Sequence, residues 1–414
     1  MRLSWVILLG MLLLSVGCLD GDEVTTKTLV PSTSITTITL FPKESSIPKT
    51  ITVCRDGGCN YTLIQEAVNV ANTGDTINVS PGIYEENIDI NKSVNLIGAG
   101  ADITTVSADS YIDHIFEITA NNVNISGFYV YGATGALYDE KPSDYAGIYL
   151  HNSNYSKIER VKVWRHYRGI HLKSSSHNMF LNLTTLNNKY GLYLNNSFEN
   201  ILESNNVNSF GGSTYGIYLY QSHNNILKSN IALKNDYGFR IVFSNNNTLI
   251  NNSIISGYTG IDITYSNNTV LIKNVVSNVD HGIFLTRASN SVLKDNIVSL
   301  NEGKGIWLFY SNTNNLTNNT VSQNSYGLFI KNSDNNILTD NNASNNGQGI
   351  VLHYSANNTI SNSKTNLNEH YGFWLISSNY SIFTNNNVCS NKRGEIHIKN
   401  SNMNLWENNS LCDN

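Results

Sequence analysis

A glycine returns along this 414-residue chain at almost constant spacing, and each time it opens a short segment of the form Gly-apolar-x-apolar. The series runs Gly147, Gly169, Gly191, Gly216, Gly238, Gly260, Gly282, Gly305, Gly327, Gly349, Gly372 and Gly394, with Gly394 reading Gly-Glu-Ile-His-Ile. The intervals are 22 residues except for one of 25 and two of 23. A fixed period of this length marks a solenoid, in which each repeat buries its apolar row only against its neighbours.

Each repeat carries three apolar segments. The first follows the glycine, as in Ile217 and Leu219. The second lies eleven residues after it, at Leu202, Leu227, Leu249, Leu271, Leu293, Leu316 and Leu338. The third lies sixteen residues after it, at Val207, Ala232, Ile254, Val276, Val298 and Val321. Segments this short and this close cannot be helices, and their alternation suits strands. The chain is therefore expected to be all-β: a parallel β-helix with three strands per ~22-residue coil and about fourteen coils.

Asparagine fills the joints between segments. One row stands nine residues after the glycine (Asn178, Asn200, Asn225, Asn247, Asn314, Asn336, Asn358) and another fourteen after it (Asn205, Asn230, Asn252, Asn274, Asn296, Asn319, Asn341). Asn tolerates left-handed backbone and satisfies turn groups with its amide. Like residues at one corner can stack as a hydrogen-bonded ladder. These rows are read as structural.

The period overrides the two or three domains that length alone would suggest. Charged residues make up 14%, below the roughly 25% of ordinary chains. The net charge is −5 with no basic tract, which excludes nucleic acid as an expected partner. At the N-terminus, Arg2 precedes an apolar run from Leu3 to Gly17 that is short for a membrane span. The run ends Leu14-Ser15-Val16-Gly17-Cys18, similar to a lipoprotein cleavage box with Ser15 in the place usually held by Leu. Residues 1–18 are read as a signal peptide ending in a lipidated Cys18, which gives an exported, membrane-anchored chain. Residues 19–49, rich in Thr and Ser with Pro31, Pro42 and Pro48, read as a linker, and 50–414 as the β-helix. The remaining cysteines pair as Cys54 with Cys59, around a tight Arg-Asp-Gly-Gly loop, and Cys389 with Cys412, one coil apart. Asn-x-Ser/Thr triplets abound, as an Asn-rich sequence makes them by chance.

The coil series begins after a distinct opening segment. Thr62-Leu63-Ile64-Gln65 reads as a capping box, and Ala67, Val68 and Ala71 follow at helical spacing. A helix that covers the N-terminal end of the solenoid is expected there. Next come Gly74-Asp75-Thr76-Ile77-Asn78-Val79, Pro81-Gly82-Ile83-Tyr84-Glu85-Glu86 and Val94-Asn95-Leu96-Ile97-Gly98. This stretch resembles the opening of pectin-lyase-like proteins. The later coils resemble NosD-type and carbohydrate-binding/sugar-hydrolase (CASH) repeats. Together the resemblance covers about residues 51–414. It implies a single-stranded right-handed parallel β-helix and says little about activity. Pectin methylesterases share Gly82, Tyr84 and Glu86, but their later catalytic segments have no match. Of the polygalacturonase motifs only Asp280-His281-Gly282 is approached. No Asp cluster or glycine-rich calcium repeat is present. NosD implies copper, yet the four Met, two of them in the leader, and the scattered His do not form a copper(I) ligand pattern. No cofactor and no metal residues are assigned.

The residue between the two apolar positions of the glycine strand should point outward. That row contains Tyr149, His171, Tyr193, Tyr218, Arg240, Asp262, Phe284, Trp307, Phe329, Val351 and Trp374, and two residues on lie His151, Lys173, Tyr220, Phe309, Lys331 and His353. Sugar rings pack on aromatic faces, and surface aromatics mark binding. Tyr149, Tyr218, Tyr220, Phe284, Trp307, Phe309, Phe329 and Trp374 are therefore candidate carbohydrate-binding residues, facing solvent. The structural explanation is that aromatics favour strands and stack along a ladder. Arg240 and Asp262, at the same offset one coil apart, should form a surface ladder pair worth little energy. Two insertions, Tyr131 to Tyr145 with Asp139, Glu140, Lys141 and Asp144, and Gly211-Gly212-Ser213, are candidate binding loops. A lyase acting on uronic acids needs a cation, a base and a proton donor. Arg168, His171, Lys173 and Tyr193 offer those types and are the candidate catalytic set, against the commoner reading of a solvated charged face. The expected role is polysaccharide binding at the cell envelope by a monomer. A lyase, epimerase or glycosidase is second, NosD-like copper handling third and a structural rod fourth.

Overall fold

The computed structural model describes residues 47–133, 145–209 and 213–412. Cys18, most of the linker, the four charged residues of the first insertion and Gly211-Gly212 lie outside them. The described chain is a parallel β-helix. One coil shows the plan: a glycine strand Tyr190–Asn195, a leucine strand Ile201–Glu203 and a valine strand Asn206–Asn208. The next coil repeats it in register, with Leu194 beside Leu219, Leu202 beside Leu227 and Val207 beside Ala232. The leucine strands form one sixteen-stranded sheet from Thr50–Val53 to Leu405–Glu407. At ~4.8 Å per strand this sheet is about 70 Å long. There are more coils than the glycines count, because the first coils are built without that glycine. Among the described residues no helix is long and apolar enough to cross a membrane.

From Gly147 to Gly372 the repeating glycine is required by space, not by left-handed backbone; only the last, Gly394, has positive φ and open surroundings. A Cβ on Gly260 would lie 2.2 Å from Val276 Cγ1 and 2.7 Å from the Gly282 carbonyl, and one on Gly238 would lie 2.4 Å from Ile254 Cγ2. The glycine and the apolar residue after it both turn inward: Gly191 and Leu192 are buried while Tyr190 and Tyr193 flank them on the outside. The glycine strand therefore presses directly on the valine strand, and only a residue without a side chain fits between them.

The asparagine rows are ladders, as their spacing predicts. The Asn252 backbone N–H donates to Asn274 Oδ1 (3.0 Å), and Asn252 Nδ2 donates to the same oxygen (2.9 Å) and to the Leu227 carbonyl (2.9 Å). These amides are fully buried and meet corner backbone groups that would otherwise be orphaned. The buried asparagines are not the left-handed residues, contrary to expectation. The residue before each one takes that conformation: Glu199 (φ 56°) before Asn200, Ser204 (φ 58°) before Asn205. Even Phe243, Leu300 and Leu367 adopt it, because the closed coil outweighs a local cost of roughly 1–2 kcal/mol. Two further rows escape a reading by period alone. Nineteen residues after the glycine stand Asn188, Asn235, Asn301, Asn324, Asn346, Asn368 and Asn391, and six after it a serine row in which the Ser197 N–H donates to Ser222 Oγ (3.1 Å).

Helix α1 (Ile64–Val70) buries Ile64, Ala67 and Val68. Its N-cap is Leu63, with no side-chain cap bond, so the capping box is not formed. The first-turn amides are met from another coil: Glu86 accepts from Ile64 N (2.8 Å) and Gln65 N (2.9 Å). A carboxylate at a helix N-terminus does the same work as a capping residue. Both disulfides form as expected, Cys54 to Cys59 with Cα atoms 5.4 Å apart and Cys389 to Cys412 with Cα atoms 4.8 Å apart.

Candidate carbohydrate-binding face

The glycine strands pair in register, so the outward row is continuous: Tyr149, His171, Tyr193, Tyr218, Arg240, Asp262, Phe284, Trp307, Phe329, Val351, Trp374 and His397 are successive neighbours. Because the glycine points inward, the residue before it joins the same face. That adds Arg168, Tyr190, Tyr215, Tyr237, Lys304 and Tyr326, a row that strict alternation after the glycine does not reveal.

The rings do not stand free in solvent. Tyr149 and His171 are buried, and Tyr193, Tyr218, Phe284, Trp307, Phe329 and Trp374 are half-buried. They cover one another. Tyr190 stacks on Tyr215 at 4.8 Å, Tyr193 on Tyr218 at 5.3 Å and Phe284 on Trp307 at 4.2 Å. Stacking along the axis consumes ring faces, so ring edges, hydroxyls and cations point outward. Burial raises the pKa values of the Tyr190 and Tyr218 hydroxyls, that of Tyr218 to about 12. Both phenols stay protonated and able to donate at neutral pH.

The four catalytic candidates come together. Arg168, His171 and Lys173 share strand Arg168–Lys173, and Tyr193 lies beside His171 on the next coil. The Arg168 guanidinium sits 5.0 Å from the Tyr193 ring centre. His171 is packed between Tyr149 (5.0 Å) and Tyr193 (4.9 Å), and neither ring nitrogen has a hydrogen-bond partner. Burial, reinforced by Arg168 and other nearby cations, pushes its pKa down to about 2. Arg240 and Asp262 form an ion pair at 3.3 Å with the Asp262 side chain only 7% exposed, so this is a buried pair, not the surface pair expected. Such a pair is costly to break from one side only. Beyond it lies a second aromatic group: Lys304 Nζ is 4.2 Å from the Trp307 ring centre, and Trp307 packs edge-on against Phe329 at 6.2 Å.

Positions shared with pectin methylesterases have structural work here. Tyr84 is buried with its hydroxyl donating to the Ser80 carbonyl (3.0 Å), and Glu86 holds the helix start. A cavity of about 460 Å³ between Gly98–Asp102 and Arg160–Lys162 opens elsewhere on the coil surface.

The fold is that of β-helix proteins: the Dettilon tailspike protein superimposes with a TM-score of 0.60 at 15% identity, over 71% of this chain and 67% of that one. The periplasmic alginate epimerase AlgG aligns with a TM-score of 0.49 at 14% identity, over 82% and 77%. The family model described as periplasmic copper-binding protein (NosD) matches residues 68–259, 241–360 and 304–414, and the chain belongs to that family. A cell surface glycoprotein of Methanothermus fervidus is 42% identical over 82 residues, which is 19% of this chain and 14% of that protein.

The family description names copper, and the described residues do not fit it. Copper(I) sites gather Cys, Met and His. Four cysteines are in disulfides, Met403 is 74% exposed at the far end of the coils from the histidines His114, His151 and His171, and Met179 sits on the leucine-strand sheet while His151 and His171 sit on the glycine strands. Those histidines have the Tyr149 ring between them. Among the described residues no group of three or more His, Cys, Asp and Glu could hold a metal ion.

Proposed function

We propose that this protein is an exported, lipid-anchored surface β-helix that binds polysaccharide along the glycine-strand face. The observation that carries the reading is the register-aligned line of aromatic and cationic side chains, which runs along successive coils as an extended polymer would. Stacked rings hold the line rigid, and hydroxyls and cations on its outer edge supply hydrogen bonds to sugar hydroxyls. Two disulfides fit an oxidising, extracytoplasmic compartment. The family's periplasmic description and the surface relative support the same location.

The test keeps the ring stack and removes only hydroxyls. Tyr190→Phe with Tyr218→Phe should weaken binding of a retained polysaccharide about tenfold, with the melting midpoint unchanged. Retention of no soluble polysaccharide by the wild type, or an unchanged affinity in the double variant, would count against this face. Anchoring is a separate matter, tested by Cys18→Ala. The variant should leave the membrane fraction or stall in maturation, since the lipid supplies the hold. Unaltered detergent partitioning would remove the anchor from the proposal.

A further inference from the structure

The glycine-strand face has a charge balance opposite to that of the chain. The whole sequence carries 31 acidic against 26 basic residues. On the outward positions of the glycine strands from Gly147 to Gly372, the cations are Arg168, Lys173, Arg240, Lys304 and Lys331, and the one carboxylate is Asp262. Asp262 is already bound to Arg240.

Lys304 and Lys331 stand apart from the other cations. Lys304 Nζ lies among three rings, 4.2 Å from the centre of Trp307, 5.4 Å from Phe329 and 5.7 Å from Tyr326. Lys331 Nζ lies 5.7 Å from the Phe309 ring, and Lys331 is paired in register with His353. Burial, reinforced by the Lys331 charge, lowers the pKa values of Lys304 and His353. No carboxylate among the described residues lies within ion-pairing distance of either lysine. The buried Trp307 indole N–H has no acceptor among the described residues. Half-buried like charges held together on rings, beside an unmet donor, cost free energy in the empty protein. An anion placed between them would relieve that cost.

We infer that Lys304 and Lys331, set on Trp307, Phe309 and Phe329, form an anion subsite for the carboxylate or sulfate of an acidic polysaccharide. The inference rests on the polysaccharide reading above and narrows it to charged chains. The rings exclude water around the ammonium groups and strengthen their attraction for the anion. A neutral sugar at the same place satisfies neither lysine.

The experiment uses four probes on the exported full chain: polygalacturonate and its carboxyl-reduced form, dextran sulfate and dextran. At low ionic strength at least one acidic probe should bind about tenfold or more tightly than its neutral counterpart, and salt should erode the difference. Preference for polygalacturonate identifies carboxylate as the anion, and preference for dextran sulfate identifies sulfate. Lys304→Met with Lys331→Met keeps the apolar stems against the rings and should abolish the preference without lowering affinity for the neutral probe. Lys304→Arg with Lys331→Arg should restore it. Equal affinity for acidic and neutral probes overturns the subsite and leaves the polysaccharide reading standing. An acidic preference undiminished in the Met variant also overturns it. Binding of none of these probes, and of no other polysaccharide, overturns the reading on which it rests.

Discussion

Gly260→Ala should lower stability by about 3 kcal/mol, and Gly260→Val should leave no native β-helix to purify. The new Cβ would meet Val276 Cγ1 at 2.2 Å and the Gly282 carbonyl at 2.7 Å. Val276 belongs to the fully buried row, and the carbonyl belongs to the next glycine strand, so neither gives way cheaply. The loss reads out as a fall in the midpoint of denaturant unfolding, the safer quantity in a repeat array whose cooperativity can break down. Part of the clash is with one methyl, so Val276→Ala should rescue Gly260→Ala by about 1 kcal/mol or more in a double-mutant cycle. A midpoint for Gly260→Ala indistinguishable from wild type would refute the steric account of the repeat.

The protein should also lose stability steeply on mild acidification. His166 occupies the place that asparagine holds in the nineteenth-residue row, fully buried with its ring between the Ala133 (3.2 Å) and Val130 (3.3 Å) carbonyls. Burial lowers its pKa to about 4, against a partial upward pull from those carbonyls, and lowers that of His171 to about 2. Both folded-state values lie below the unfolded one. The unfolded chain therefore takes up protons first as pH falls below about 6.5. The contribution of each neutral histidine is complete above that pH. It is lost as pH falls toward about 4 for His166 and about 2 for His171. At roughly 1.4 kcal/mol per pH unit for each group, the two together cost on the order of 5 kcal/mol at pH ~4.5. Asp262 and Glu86, whose pKa values burial raises, oppose the trend as they protonate. Thermal midpoints from pH 7.5 to ~4.5 measure the slope. His166→Asn, which restores the ladder residue, combined with His171→Phe should flatten it. A flat wild-type profile, or an unchanged slope in the double variant, would contradict this account.

Much of the fold is legible in the sequence, since a β-helix repeats its packing coil by coil. The period, the three strands, two asparagine ladders and both disulfides follow from spacing alone. The third asparagine row is hidden because His166, Phe210, Gly257 and Val279 stand at its place in the sequence. The left-handed corners are hidden because coil closure imposes them on Glu199, Phe243 or Leu300 alike. The helix cap is hidden because its carboxylate, Glu86, comes from another coil. For the candidate face, alternation correctly places Trp307 and Tyr218 on the outside. It does not say what leans over them. That depends on the double inward turn at the glycine, which brings Tyr190, Tyr215 and Lys304 onto the same surface.

The buried asparagine rows have a direction. Asn178 N–H donates to Asn200 Oδ1, Asn200 N–H to Asn225 Oδ1 and Asn225 N–H to Asn247 Oδ1, always from one coil to its successor. The backbone amides of these asparagines are thus met by the coil after, while their side-chain amides also reach back to carbonyls of the coil before. Each coil finishes the backbone donors of the one before and leaves its own to the next. The two ends of the ladder therefore differ chemically: its C-terminal end presents backbone donors, and a stretch of chain added there meets them.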